Sequence, residues 1–162
     1  MKKLIKEYYD IYSEFYKINK YREMKSIIHH GNNRLAHINR VAKMSFYISK
    51  KLNLDYISCT RGAMMHDFFV KEDIAKKAYK KYLKTHPLVA FDNSKKFFDV
   101  NTIEEDIIKT HMFPLTHVKP CYYESKIVCF CDKVVSIYEF LRFEIKLSAN
   151  VFMLFMINIL SR

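Results

Sequence analysis

The sequence predicts an all-α domain, a compact bundle of roughly six to eight helices, and three observations predict it. Two glycines and three prolines are too few for a fold built on many β-turns. Half of the 162 residues are hydrophobic, enough for a core, and they recur at the 3.6-residue period of helices. No repeat, low-complexity tract or linker interrupts the chain, so it reads as one domain.

The elements follow in order. Leu4, Ile5, Tyr8, Ile11, Tyr12, Phe15 and Tyr16 form an i, i+3, i+4 stripe over residues 2–19, an amphipathic helix within a leader (1–27) that packs on the domain. "HHGNN" (29–33) breaks the pattern, with Gly31 and Asn33 suited to a turn and an N-cap. A helix over about 34–53 turns Leu35, Ile38, Val41, Ala42, Ser45 and Ile48 inward. "NLDY" (53–56) ends it, and a short helix over about 57–69 carries His66-Asp67 at its end. Residues 72–83 look like a charged surface helix. Pro87 suits the first turn of a new one, "PLVAFDNSKKFF". Thr102 is placed to cap the next helix, with Glu105 at the capping-box position, and this helix runs to His111. "FPLTHVKP" (113–120) makes a loop. A helix over about 124–144 carries Ile127, Val128, Cys131, Val134, Val135 and Tyr138 on one side. "ANVFMLFMINIL" (149–160), within an apolar helix over 146–162 of the same domain, is a last core helix or a partner-binding face.

Charge and cysteine content bound the function. The formal charge of +11 attracts phosphate-bearing partners, but the lysines are dispersed and no dense Arg tract occurs, which argues against nucleic acid. Cys59, Cys121, Cys129 and Cys131 read as buried free thiols rather than a disulfide framework or a metal site. "MKKLIKEYYD" meets charge before any apolar core, so no signal peptide is expected. The 149–160 stretch is too short to span a bilayer. A reduced, cytoplasmic setting is expected.

"RGAMMHDFF" (61–69) sets His66 and Asp67 inside an otherwise apolar stretch. Burying a carboxylate costs several kcal/mol unless it is paired or bound to a metal. His37, His86, His111 and Asp132 also lie in apolar helical frames, and imidazole with carboxylate suits Zn, Fe, Mn, Ni or Co. A lone histidine is more often a surface or hydrogen-bonded core residue. It is the joint order, H…HD…H…H…D, that points to a metal centre.

That order, carried by "NRLAHINRVAKMSFYISKKLNLD", "CTRGAMMHDFF" and "KIVCFCDKVVSIYEF", resembles the HD superfamily of metal-dependent phosphohydrolases over roughly residues 28–140. The resemblance implies a helical HD domain, here 28–145, and a hydrolase that cleaves a phosphate ester or phosphoanhydride of a small nucleotide-like substrate. His37, followed by Arg40-Val41, matches the first ligand, His66 and Asp67 the named pair, and Asp132 in "CDKVVS" the last. His86 in "THPLVA" and His111 in "IIKTHMFPLT" resemble the added ligands of the dinuclear branch, which includes the HD-GYP phosphodiesterases and the HD-type diadenosine tetraphosphate hydrolases. By this resemblance two divalent transition-metal ions bind. His37, His66, Asp67 and Asp132 hold the first, Asp67 bridges, and His86 and His111 hold the second. Asp67 and His66 are the expected catalytic pair, acting with a water between the ions. The chain departs from the family in three places. Phe68-Phe69-Val70 separates the pair from Lys71, Met112 stands where a further histidine is common, and the HD-GYP segment is absent, which argues against cyclic-di-GMP.

Candidate substrate contacts are His30 and Arg34 before the first ligand helix, Arg61, the loop residue His117, and Lys133 beside Asp132. Arg34 has the fork geometry for a phosphate. For each of them a turn, surface or structural role competes with the functional one. The aromatic surplus reads as core. The competing expectation for the whole chain is a basic, non-catalytic binding module with a structural or vestigial metal site. Its C-terminal apolar segment would then be a partner face or the seam of a homodimer.

Overall fold

The structure, a computed structural model, describes residues 2–29, 32–70 and 79–160. It is all-α, as expected. The described residues form seven α-helices: α1 (Lys2–Tyr16), α2 (Asn19–Glu23), α3 (Arg34–Lys51), α4 (Tyr56–Met65), α5 (Tyr79–Phe97), α6 (Thr102–Thr110) and α7 (Tyr123–Leu160). A single 3-10 turn and a minimal antiparallel bridge, Ile28–His29 with Asn32–Asn33, link α2 to α3. The expected helix over 72–83 falls largely on residues outside those described.

Helix α3 is the centre of the bundle, packed against α4 and α7, with α6 closing the other side of α4. Its start is set by Asn33, whose side chain accepts from the Ala36 N–H at 2.8 Å. Its end is set by Asn53, which takes φ +53°. Asn53 N–H donates to the Lys50 carbonyl and Leu54 N–H to that of Ser49, the paired bonds of a Schellman ending. Asp55 then caps α4, accepting from the Ser58 N–H and hydroxyl. Two tight connections thus turn the chain back within four residues and lay α4 along α3.

The packing of α4 on α6 requires a glycine. A Cβ at Gly62 would lie 2.6 Å from Ile107 Cδ1. The leader behaves as its stripe predicts, burying Tyr8, Ile11 and Phe15.

Four boundaries differ from the sequence expectation. Helix α4 stops at Met65, so His66 and Asp67 lie in the turn that follows it. Helix α5 runs through Pro87, forgoing the intrahelical bond that the proline N–H would have made. The cap of α6 is Asn101 rather than Thr102, with Glu104 rather than Glu105 completing a reciprocal capping box. Asn accepts from the N3 amide as well as Thr does, which is why the one-residue shift was hidden. Finally, α7 is one helix of 38 residues. "LRFEIKLSAN" holds no glycine or proline, so nothing in the backbone chemistry breaks it near 145. On α7, Val128, Cys131 and Val135 face the core as predicted, whereas Tyr138 is exposed. Of the cysteines, Cys121 is exposed and the other three are buried, all of them free.

Candidate metal centre

Five helices deliver six side chains to one place: His37 from α3, His66 and Asp67 from the end of α4, His86 from α5, His111 from the end of α6, and Asp132 from α7. They separate into two triads. His37, His66 and Asp132 form one, Asp67, His86 and His111 the other, and within each triad one ligand atom per residue lies within 4.8 Å of the others. Two His–His–carboxylate sets, joined through adjacent residues of a single turn, are the arrangement.

The turn explains how neighbouring side chains serve neighbouring triads. His66 closes α4 in helical conformation and its Nδ1–H meets the Ala63 carbonyl at 2.7 Å, which aims Nε2 at Asp132 Oδ1, 3.8 Å away. After it the backbone tightens, with Phe68 N–H on the Met65 carbonyl and Phe69 N–H on that of Asp67. Asp67 Oδ1 then lies 3.3 Å from His86 Nε2 and 3.7 Å from His111 Nε2. Buried Arg34 holds this turn from outside, donating from Nη1 to the Phe69 carbonyl at 3.0 Å with its guanidinium 3.7 Å from the Phe69 ring centre. Asn93 Nδ2 does the same at the Phe68 carbonyl.

The first triad is braced by a carboxylate. His37 Nε2 lies 3.0 Å from Asp132 Oδ1, and its Nδ1 lies 3.0 Å from Glu139 Oε2, whose other oxygen accepts from Arg40 Nη1 at 2.5 Å. Burial alone would push His37 down. The bonds to Asp132 and Glu139 outweigh it and raise the imidazole to about 10. Burial likewise opposes ionisation of Asp132, but His37 and His66 hold its carboxyl well below the usual range. A proton therefore lies between His37 Nε2 and Asp132, where a cation shared by the same two atoms would place its charge.

The second triad is braced by backbone. His111 Nδ1 lies 2.8 Å from the Ile108 carbonyl, which puts the proton on Nδ1 and leaves an Nε2 lone pair facing His86 Nε2 at 3.0 Å. Burial, with His66 and His86 adding to it, pushes His111 down to about 3. It is neutral at any ordinary pH. Burial works against Asp67 too, yet His66 and His86 keep it ionised, well below its usual value.

Two buried atoms in the centre, His66 Nε2 and Asp67 Oδ1, have no hydrogen bond of acceptable direction among the described residues. They sit on opposite triads and both face inward. Orphaned acceptors of this kind cost about 1–3 kcal/mol each unless a ligand takes them. The donor set of two imidazoles and one carboxylate per triad fits Zn, Fe, Mn, Ni or Co. Asp132 is the most open of the six, with 13% of its side chain exposed, so the approach to the pair runs past it.

The other sequence candidates separate. Arg61 ties α4 to α6 and α1, donating to Glu104 at 2.6 Å and Glu14 at 2.7 Å, and is engaged away from the centre. Arg34 is committed to the turn just described. Lys133 Nζ lies 3.2 Å from the His111 carbonyl, at the edge of the site, and also contacts Cys129. His117 stands exposed on the loop between α6 and α7. His30 lies outside the described residues. Sequence reasoning missed Glu139 and gave Arg40 no role. The signal was present, since Glu139 is seven residues after Asp132 and so on the same helical face.

The chain matches no protein-family model, no curated protein and no solved structure.

Proposed function

We propose that this chain is a metal-dependent phosphohydrolase of the HD type, cleaving a phosphate ester or phosphoanhydride of a small, nucleotide-like substrate. One observation carries the reading: two His–His–carboxylate triads, joined through His66-Asp67, whose inward atoms His66 Nε2 and Asp67 Oδ1 make no hydrogen bond of acceptable direction among the described residues. Two divalent transition-metal ions would supply an activated water and neutralise phosphate charge. His37, His66 and Asp132 would hold one ion and Asp67, His86 and His111 the other. Glu139 and the Ile108 and Ala63 carbonyls fix the tautomers and directions of the histidines. Lys133, at the rim, is the cation best placed for a substrate phosphate. The enclosed setting excludes bulk water and strengthens each charge interaction. The three buried free thiols suit a reduced, cytoplasmic compartment.

The test is metal analysis of the purified protein, followed by a panel of nucleotides and dinucleoside polyphosphates with added Mn, Fe or Co. About two metal equivalents with metal-dependent phosphate release is the expected result. Failure to take up metal overturns the reading. Metal uptake with no turnover of any substrate shifts it to a non-catalytic binding module. The specific feature that favours this second reading is the exposed apolar face of α7.

A further inference from the structure

Helix α7 has two opposite faces with different fates. The inner face carries Val128, Cys131, Asp132, Val135 and Glu139 into the bundle. On the outer face, at about 100° per residue, Phe130, Ile137, Leu141 and Ile145 fall within about 80° of one another. Their exposures are 56, 60, 53 and 70%. The half-buried Val134 lies in the same stripe. From Phe140 to Ile145 every residue is exposed, so the helix has left the bundle there. Its 38 residues span about 57 Å. Beyond it, residues 149–160 carry no charge.

Beside the same stripe, at the body end, lies an apolar groove of about 500 Å³ walled by Phe113, Pro114, Pro120 and Phe130, with Lys119, Lys126 and Lys133 also lining it. We infer that the outer face of α7 is the seam of a homodimer, in which two copies pair antiparallel along α7 and the projecting end of each covers the groove of the other.

Three features select a second copy as the occupant. Rod and groove lie at the two ends of one continuous stripe, so antiparallel pairing about the middle of α7 matches each to its counterpart by a two-fold axis. Parallel pairing would leave both grooves open. The seam is long enough: about 30 residues per helix give a contact about 45 Å long, of the order needed for the ~800 Å² per partner of a stable interface. A lipid surface is the poorer match. No described helix is long and apolar enough to cross a membrane, and adsorbing the tip would leave Phe130, Ile137 and the groove in water. Because Asp132 and Glu139 are on the inner face of the same helix, the dimer would brace the helix that carries them. The inference does not depend on the proposed chemistry.

Light scattering across a size-exclusion peak tests it at micromolar concentration, with twice the mass of one chain expected. Ile137→Glu with Ile145→Glu should give monomer, with helical circular dichroism and metal content unchanged. If that pair loses its helical signal, Leu141→Lys alone replaces it. A nitroxide at Met153→Cys, in a Cys121→Ser background, distinguishes the arrangement, since antiparallel pairing about the helix centre separates the two labels by about 35 Å. A monomeric wild type, a dimer that survives the substitutions, or labels in close approach each overturns the inference. So does monomeric protein that floats with phosphatidylcholine vesicles.

Discussion

The two triads contain the same ligand types and differ in what stands behind them. The first rests on ionised groups, with Glu139 behind His37 and Arg40 behind Glu139, and its histidine is driven to about 10. The second rests on backbone, with the Ile108 carbonyl behind His111, and that histidine is driven to about 3. A ligand at about 10 must shed a proton before it can bind a cation, whereas one at about 3 is already free. The extra carboxylate that raises His37 also strengthens it as a donor once a cation is in place. On the proposed reading, the first triad would take up its ion in exchange for a proton and hold it the more tightly, and the second would exchange its ion more readily.

The sharpest way to break this picture is at the junction. Asp67→Asn keeps volume but removes the negative charge nearest His86 and His111. If the proposed reaction is right, kcat on the best substrate should fall by two or three orders of magnitude as the second ion is lost. Phe69→Leu, its neighbour outside the ligand set, should cost only about 1 kcal/mol of stability and keep most turnover. Wild-type turnover in Asp67→Asn would refute the two-ion mechanism.

Glu139→Gln separates the triads. It removes the carboxylate behind His37 and leaves all six ligands in place, so metal affinity at the first triad should fall by roughly 10–100-fold. The second triad should keep its ion. Titration with a metal-sensitive dye would resolve two sites in the wild type and a weakened one in the variant. Equal weakening of both, or of neither, would show that the brace does not distinguish them.

Chelation reads the same difference through stability. An ion bound only by the native state adds about 2.7 kcal/mol at a hundredfold excess over Kd, which for a chain of this size corresponds to several degrees in Tm. Removal in two stages is expected, first the ion of the backbone-braced triad and then that of the carboxylate-braced one. A Tm unmoved by complete metal removal would mean that the buried pair is stabilised by the protein alone.

Most of the fold and the six side chains of the two triads were legible in the sequence because each rests on local pattern. Apolar periodicity marked α1, α3 and the first half of α7. Asn33 and the Asn53–Asp55 break are capping and C-terminal signals that survive in any context. The histidines and aspartates stood out by being polar in apolar frames. What was hidden depends on contacts distant in sequence. Nothing local says that His66 and Asp67 serve different triads, because that is decided by the turn after Met65 and by Arg34 and Asn93 holding it. Arg61 read as a possible phosphate contact because its partners, Glu14 and Glu104, come from other helices. Pro87 misled for the opposite reason, since a helix embedded in the bundle can forgo one backbone bond that an isolated helix could not.

The smallest expected effect concerns His117, which belongs to neither triad. It stands exposed on the loop between α6 and α7, while the approach to the centre runs past Asp132 on α7 itself. If that loop borders the path of substrate, His117→Ala should raise KM by a few-fold, the equivalent of about 0.5–1 kcal/mol in binding, and leave kcat nearly unchanged. Metal content and Tm should not move, because an exposed imidazole holds no ion and supports no core. This pattern is the inverse of that expected for Asp67→Asn, where kcat collapses as metal is lost. A His117→Ala protein that lost metal would place the loop histidine inside the centre, and the division into two self-sufficient triads would then fail.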